Sequence, residues 1–398
     1  MTTASKPSAL PEHHTDADPL RLIDVDHLRF YVGNAKQSAF FYAYCFGFHV
    51  EQFTDLTTGS REEASYLLTQ GNIRLLLTTG LGKDHPAQQE VLRFGDGIKD
   101  LAFTVRDAAA AYEQAVKNGA ASAYEPTELR GESDEGTVVM AGIKTYGRLV
   151  HSFVSRHGAY ELERVGSGGA FMPGFSPMKG FALNDHNRAH PCGLMYVDHC
   201  VGNVELGGMD RWVKWYEDVM GFKLFKHFDD KEISTAYSAL MSKVLDSGFG
   251  VIKLPINEPA EGKRKSQIQE YLDWHDDTPG VQHLAFRTDD ELGSVAELRR
   301  RGVNFLRIPD AYYDGVWDRV SKMGWKVKED HERIRQLGIL IDADDEGYLL
   351  QLFTKPLEDR PTLFFEIICR RGSQSFGKGN FKALFEALEL EQSRRGNL

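Results

Sequence analysis

Three stretches of this chain carry side chains whose types, taken together, could do chemistry. His199 lies in Tyr196-Val197-Asp198-His199-Cys200-Val201, His283 in Gly280-Val281-Gln282-His283-Leu284-Ala285-Phe286, and Glu366 in Leu363-Phe364-Phe365-Glu366-Ile367-Ile368. Each stretch is short, apolar and rich in β-formers, so each reads as a buried strand. A lone carboxylate among Phe364, Phe365, Ile367 and Ile368 needs a cation or a proton, because an uncompensated buried charge is strongly destabilising. Two neutral imidazoles and one carboxylate on neighbouring strands make the facial triad that holds a non-haem Fe(II), one per chain, with positions left open. One strand histidine alone is more often a hydrogen-bonded core residue than a ligand, so the reading rests on all three together. Their intervals of 84 and 83 residues are too long for a local motif. The fold has to bring them together.

Composition sets the frame for that fold. At 398 residues the chain is long enough for two or three domains. Its formal charge of −11, with no long basic block, argues against nucleic acid or an anionic membrane as partner. No apolar run reaches transmembrane length, and residues 1–19 are polar, without the pattern of a secretory or transit segment. The four cysteines, Cys45, Cys192, Cys200 and Cys369, show no metal or disulfide spacing. These features fit a cytoplasmic protein that acts on a small molecule. Cys200 adjoins His199, but neighbours on a strand point to opposite faces, so the two are not expected to share a metal.

The strands are positioned by a repeat. Val25-Asp26-His27-Leu28-Arg29-Phe30-Tyr31-Val32-Gly33-Asn34 parallels Val197-Asp198-His199-Cys200-Val201-Gly202-Asn203 at an offset of 172, and each copy runs into a helix that stops at a glycine, Gly47 or Gly221. Gly97-Ile98-Lys99-Asp100-Leu101-Ala102-Phe103 parallels Gly280–Phe286 at an offset of 183, and Gly147–Phe153 parallels Gly347–Phe353. Such order marks a duplicated domain. A finer repeat inside each half gives two βαβββ modules, whose strands can curl into a half-open barrel with His199 and His283 meeting inside. In the first half Asp100 stands where His283 stands, and no counterpart of the Glu366 strand is read after Phe153. His27 there is expected to be structural. The boundaries expected are a flexible tail at 1–19, a first domain at 20–166, a Gly-rich linker at 167–193, a catalytic domain at 194–370 and a C-terminal segment at 371–398.

This duplicated plan resembles the vicinal oxygen chelate superfamily, an α+β fold of two tandem domains. The second half is similar to the 4-hydroxyphenylpyruvate dioxygenase family in particular, through Pro255-Ile256-Asn257-Glu258-Pro259, Lys265-Ser266-Gln267-Ile268, Gly280-Val281-Gln282-His283, Leu350-Gln351-Leu352-Phe353-Thr354-Lys355-Pro356, Asp359-Arg360-Pro361-Thr362 and Phe376-Gly377-Lys378-Gly379-Asn380-Phe381. The resemblance implies Fe(II) on His199, His283 and Glu366, and 4-hydroxyphenylpyruvate with O2 as substrates. It implies homogentisate and CO2 as products, by oxidative decarboxylation, ring hydroxylation and side-chain migration, as in tyrosine catabolism, and a homo-oligomer. Carried over position by position, it assigns Gln282, Gln351, Asn257 and Phe364 to catalysis and Ser238, Gln267, Phe353, Phe381 and Asn380 to substrate binding. By periodicity alone the phenylalanines would be ordinary core, and Gln282 could face away from His283.

The last stretch has a logic of its own. Phe381, Leu384, Phe385 and Leu388 recur at helical spacing, so the chain from Asn380 to about Glu391 reads as an amphipathic helix behind Gly377 and Gly379, a lid over the site. Two rivals remain open: a hydroxymandelate synthase with the same substrate and iron, and a metal-free binding protein of the same fold.

Overall fold

The computed structural model describes residues 18–131, 136–165, 167–228, 239–247, 250–260 and 265–396. The first half opens with β1 (Asp24–Tyr31), α1 (Ala35–Phe46), β2 (His49–Thr54), β3 (Glu63–Gln70) and β4 (Ile73–Gly80). After α2 (Pro86–Phe94) comes a second such module, β5 (Gly97–Thr104), α3 (Ala108–Lys117), β6 (Ala121–Arg130), β7 (Gly136–Lys144) and β8 (Val150–Gly158). The segment at 167–193, read as a linker, carries the short β9 (Ser176–Pro177) and α4 (Ala182–Ala189), and β9 pairs with β2.

The second half repeats the plan. Its first module is β10 (Tyr196–Asn203), α5 (Met209–Trp215) with a π-turn at Tyr216–Met220, β11 (Lys223–Phe228), β12 (Ala239–Asp246) and β13 (Lys253–Ala260). Beyond α6 (Gln267–Trp274) the second has β14 (Gly280–Arg287), α7 (Glu291–Arg300), α8 (Tyr313–Lys322), α9 (His331–Leu337), β15 (Leu340–Ala343), β16 (Tyr348–Phe353) and β17 (Phe364–Arg371). The chain closes with α10 (Phe381–Arg394).

The caps follow from the sequence. Asn34, Asp107 and Asp290 each accept a backbone N–H at the start of their helices, and Gly47 and Gly221 end α1 and the π-turn at φ of 76° and 71°, a left-handed region costly for any residue with a Cβ.

The two sheets run β6-β7-β8-β5-β1-β4-β3-β2-β9 and β11-β12-β13-β10-β14-β17-β16-β15. In each, the first strands of the two modules pair antiparallel at the centre, and each half curls round that pair. The topology corrects one expectation. β8 pairs parallel with β5, in register Phe103–Phe153, as β17 pairs with β14 in register Phe286–Ile367. The first half therefore has a counterpart of the Glu366 strand, and Ser152 stands at the place of Glu366. The Gly147–Phe153 and Gly347–Phe353 match hid this, because it equated β8 with β16.

The strands' outer faces pack on helices, and one core joins the halves. Phe365, one residue before Glu366 and so on the opposite face, sits 5.1 Å from Phe46 of α1 and 4.8 Å from Phe286, ring centre to ring centre.

Candidate metal centre

Two β-bulges place the histidines. Along the β10–β14 ladder Val197 pairs with Phe286 and His199 with Ala285, which leaves Asp198 as an extra residue; Val201 pairs with His283 and Gly202 with Val281, which leaves Gln282 as another. A bulge breaks strict alternation and re-aims the side chain beside it. That is why Asp198 and Gln282, strand neighbours of the two histidines, reach the same rings. His199 Nδ1 lies 2.8 Å from Asp198 Oδ1, and His283 Nδ1 lies 3.2 Å from Gln282 Oε1. Each oxygen can only accept, so each ring donates through Nδ1 and turns Nε2 to the interior, where it can hold a proton or a metal.

The two Nε2 atoms converge. His199 Nε2 is 3.1 Å and His283 Nε2 3.7 Å from Glu366 Oε2, and the three ligand atoms lie within 4.8 Å of one another, the one such group of three among the described residues. Cys200 is buried outside the group. Burial alone would raise the Glu366 pKa, but the imidazoles, His199 foremost, hold it below the ordinary carboxylate range when they carry a proton on Nε2, and Glu366 in turn raises His199. Burial lowers His283, and Glu366 only partly offsets it. An ionised carboxylate beside two imidazole nitrogens is the donor set of a divalent transition metal, which would take the place of the proton, so the residues fit the group they were expected to hold.

A cavity opens above the triad. Its wall includes the expected Asn257, Gln267, Gln282, Phe353, Phe364 and Phe381. Phe364 stacks on His283 at 4.7 Å, and Phe353 meets it edge-on at 6.1 Å. Leu384, Phe385 and Leu388 of α10 form the roof. Gln351 and Asn380 do not line the cavity. Gln351 is buried with both amide atoms unpartnered beneath Gly377, where a Cβ would collide with it. Asn380 accepts from the Tyr312 hydroxyl at 2.6 Å and from Arg319 at 3.0 Å, which pins the turn leading into α10. Ser238 lies outside the described residues. Among the described residues the hydroxyl that lines the cavity is that of Ser242, which the sequence reading passed over although it shares a strand face with Leu240 and Val244.

Comparison with known proteins gives the family. The sequence model of the Glyoxalase/Bleomycin resistance protein/Dioxygenase superfamily matches residues 24–133 and 196–352, one stretch in each half. A 4-hydroxyphenylpyruvate dioxygenase of Dictyostelium discoideum is 45% identical over 94% of this chain and 99% of its own. Another, of Caenorhabditis elegans, is 44% identical over 100% and 97%. The chain belongs to the 4-hydroxyphenylpyruvate dioxygenase family. Among solved structures, a variant of 4-hydroxymandelate synthase from Streptomyces coelicolor superposes with a TM-score of 0.78 over 94% of this chain and 99% of that one, at 29% identity.

The first half shows what the same frame does with other residues. His27 Nδ1 is 2.7 Å from Asp26 Oδ1, as His199 is tied to Asp198. At the two remaining positions, however, Asp100 accepts hydrogen bonds from the Ser152 backbone and hydroxyl, so these two groups satisfy each other.

Proposed function

We propose that this chain converts 4-hydroxyphenylpyruvate and O2 to homogentisate and CO2, using one Fe(II) held by His199, His283 and Glu366. The observation that carries the reading is the position of the triad: three converging ligands at the floor of a phenyl-walled cavity in a family of that activity. Fe(II), when bound, supplies the redox chemistry that couples loss of CO2 from the 2-oxo acid to hydroxylation of the ring by O2. The chain's own groups bind, orient and exclude water. Phe353, Phe364 and Phe381 offer flat apolar surfaces to a phenol ring, while Asn257, Gln267, Gln282 and Ser242 offer the few polar contacts that fix its direction. Holding the ring and the 2-oxo acid arm in one geometry is the main saving in activation free energy open to such a site. The apolar stripe of α10 covers one side of the cavity, which limits the access of water to reactive species.

The likeness to a 4-hydroxymandelate synthase favours a second reading, hydroxylation at the benzylic carbon within the same frame. Incubating the iron-loaded protein with 4-hydroxyphenylpyruvate under O2 and identifying the product separates the two. Homogentisate supports the proposal, 4-hydroxymandelate selects the second reading, and no turnover overturns both.

A further inference from the structure

The guanidinium of Arg370 stands where two systems meet. Its Nε and Nη2 donate to Asp198 at 2.8 and 2.7 Å, and Asp198 in turn holds His199 Nδ1. Its Nη1 donates to the Ser375 carbonyl at 2.5 Å and the Ser373 carbonyl at 3.3 Å, in the loop that leads from β17 to α10. Phe376 of that loop closes the circuit, because its ring lies 5.4 Å from the guanidinium carbon and 5.1 Å, edge-on, from the His199 ring, and it lines the cavity. Arg370 and Asp198 are buried, with side-chain exposures of 6% and 4%. Water therefore cannot replace these bonds, and the flat five-donor fork is the one basic side chain able to make all of them at once.

The first half contains the same device without the triad. Arg156 donates to Asp26 through Nε at 2.9 Å and Nη2 at 2.8 Å, Asp26 holds His27, and Phe171 of the following loop packs on both Arg156 and His27. There the device serves the fold alone, and it supplies an internal control.

We propose that Arg370 is a positioning residue that couples metal occupancy at His199 to the docking of the lid, α10. Metal on His199 Nε2 fixes the ring, the fixed ring fixes Asp198 and Arg370, and Arg370 fixes the loop from which α10 departs. By linkage the lid, when docked, stabilises the bound metal in return. This inference rests on the metal reading of the triad and goes beyond it.

The test uses Co(II) as probe, with calorimetry for affinity and amide hydrogen exchange for α10. In the unmodified protein Co(II) should bind and slow exchange along α10; failure to bind would overturn the metal reading itself. Arg370→Lys keeps the charge but loses the fork, and should weaken Co(II) binding by about 10- to 100-fold, the usual effect of disturbing a ligand's outer partner. It should also abolish the Co(II)-dependent protection of α10. Arg156→Lys should disturb stability comparably yet leave Co(II) affinity and α10 protection as they were. Equal Co(II) affinity and equal protection in Arg370→Lys and the unmodified protein would overturn the proposal while leaving the metal reading intact. Should Arg370→Lys not fold, Phe376→Leu tests the ring contact without touching the buried ion pair. Lost protection of α10 on Co(II) binding supports the coupling, and retained protection overturns it.

Discussion

Glu366 and Phe364 occupy alternate positions of one strand, and each has a separable expected effect. Removing any of His199, His283 or Glu366 takes away a ligand and leaves the others' buried polar atoms unpaired, so the alanine variants should contain little or no iron by metal analysis. His27→Ala should keep it, because His27 is tied to Asp26 in the other half. Iron retained by all three triad variants would end the assignment. Phe364 should steer rather than merely speed the reaction, since it stacks on His283 at 4.7 Å and forms cavity wall. In Phe364→Ile the flat surface is gone and the ring is held less closely; product analysis should then show some 4-hydroxymandelate or uncoupled 4-hydroxyphenylacetate beside homogentisate. Homogentisate alone, at lower rate, would make Phe364 a packing residue.

Among the elements, α10 has the clearest separable role. Its stripe of Phe381, Leu384, Phe385 and Leu388 faces the cavity, and Phe381 meets Phe228 edge-on at 5.3 Å. Its far end is latched, with Lys355 on Glu391 at 2.9 Å and Arg395 bidentate on Glu270 at 3.0 and 2.7 Å. A helix of this length is marginal alone in water, so its order comes from docking. Ending the chain after Lys378 should leave iron bound through the intact triad, though more weakly than in the full chain, and lower the homogentisate formed per O2 consumed. Coupling equal to that of the full chain would reduce α10 to a surface brace. The bulges on β10 and β14 are the other decisive elements. Without the extra residues Asp198 and Gln282, strict alternation would turn those two side chains away from the histidines they hold.

For the molecule as a whole, the halves share one apolar core through Phe365, whose ring is buried against Phe46 and Phe286 although it never reaches the cavity. Phe365→Ala should cost about 3–5 kcal/mol in denaturant unfolding, the usual price of a large core cavity. Acid stability should track Asp26, which burial alone would raise but which Arg156 holds far below the ordinary carboxylate range. With its folded pKa depressed, the pair's contribution is complete above the unfolded value of about 3.9 and is lost as pH falls below it. Asp26→Asn should lower stability at neutral pH and flatten the acid limb of a pH–stability curve; an unchanged acid limb would show that other groups control it. Sequence alone determined the ligand types, the duplication, the helix ends at Gly47 and Gly221 and the stripe of α10, because these follow from local chemistry and period. It also carried the family likeness, through motifs such as Pro255–Pro259 and Phe376–Phe381. Tertiary structure alone decided that β8 answers to β17, that Ser152 stands where Glu366 does, that Gln351 and Asn380 lie off the cavity wall, and that Arg370 bridges the Asp198–His199 pair and the loop before α10. Strand partners, bulges and buried ion pairs join residues scores of positions apart, and their choice is settled by register and burial across the sheet, which no local pattern records.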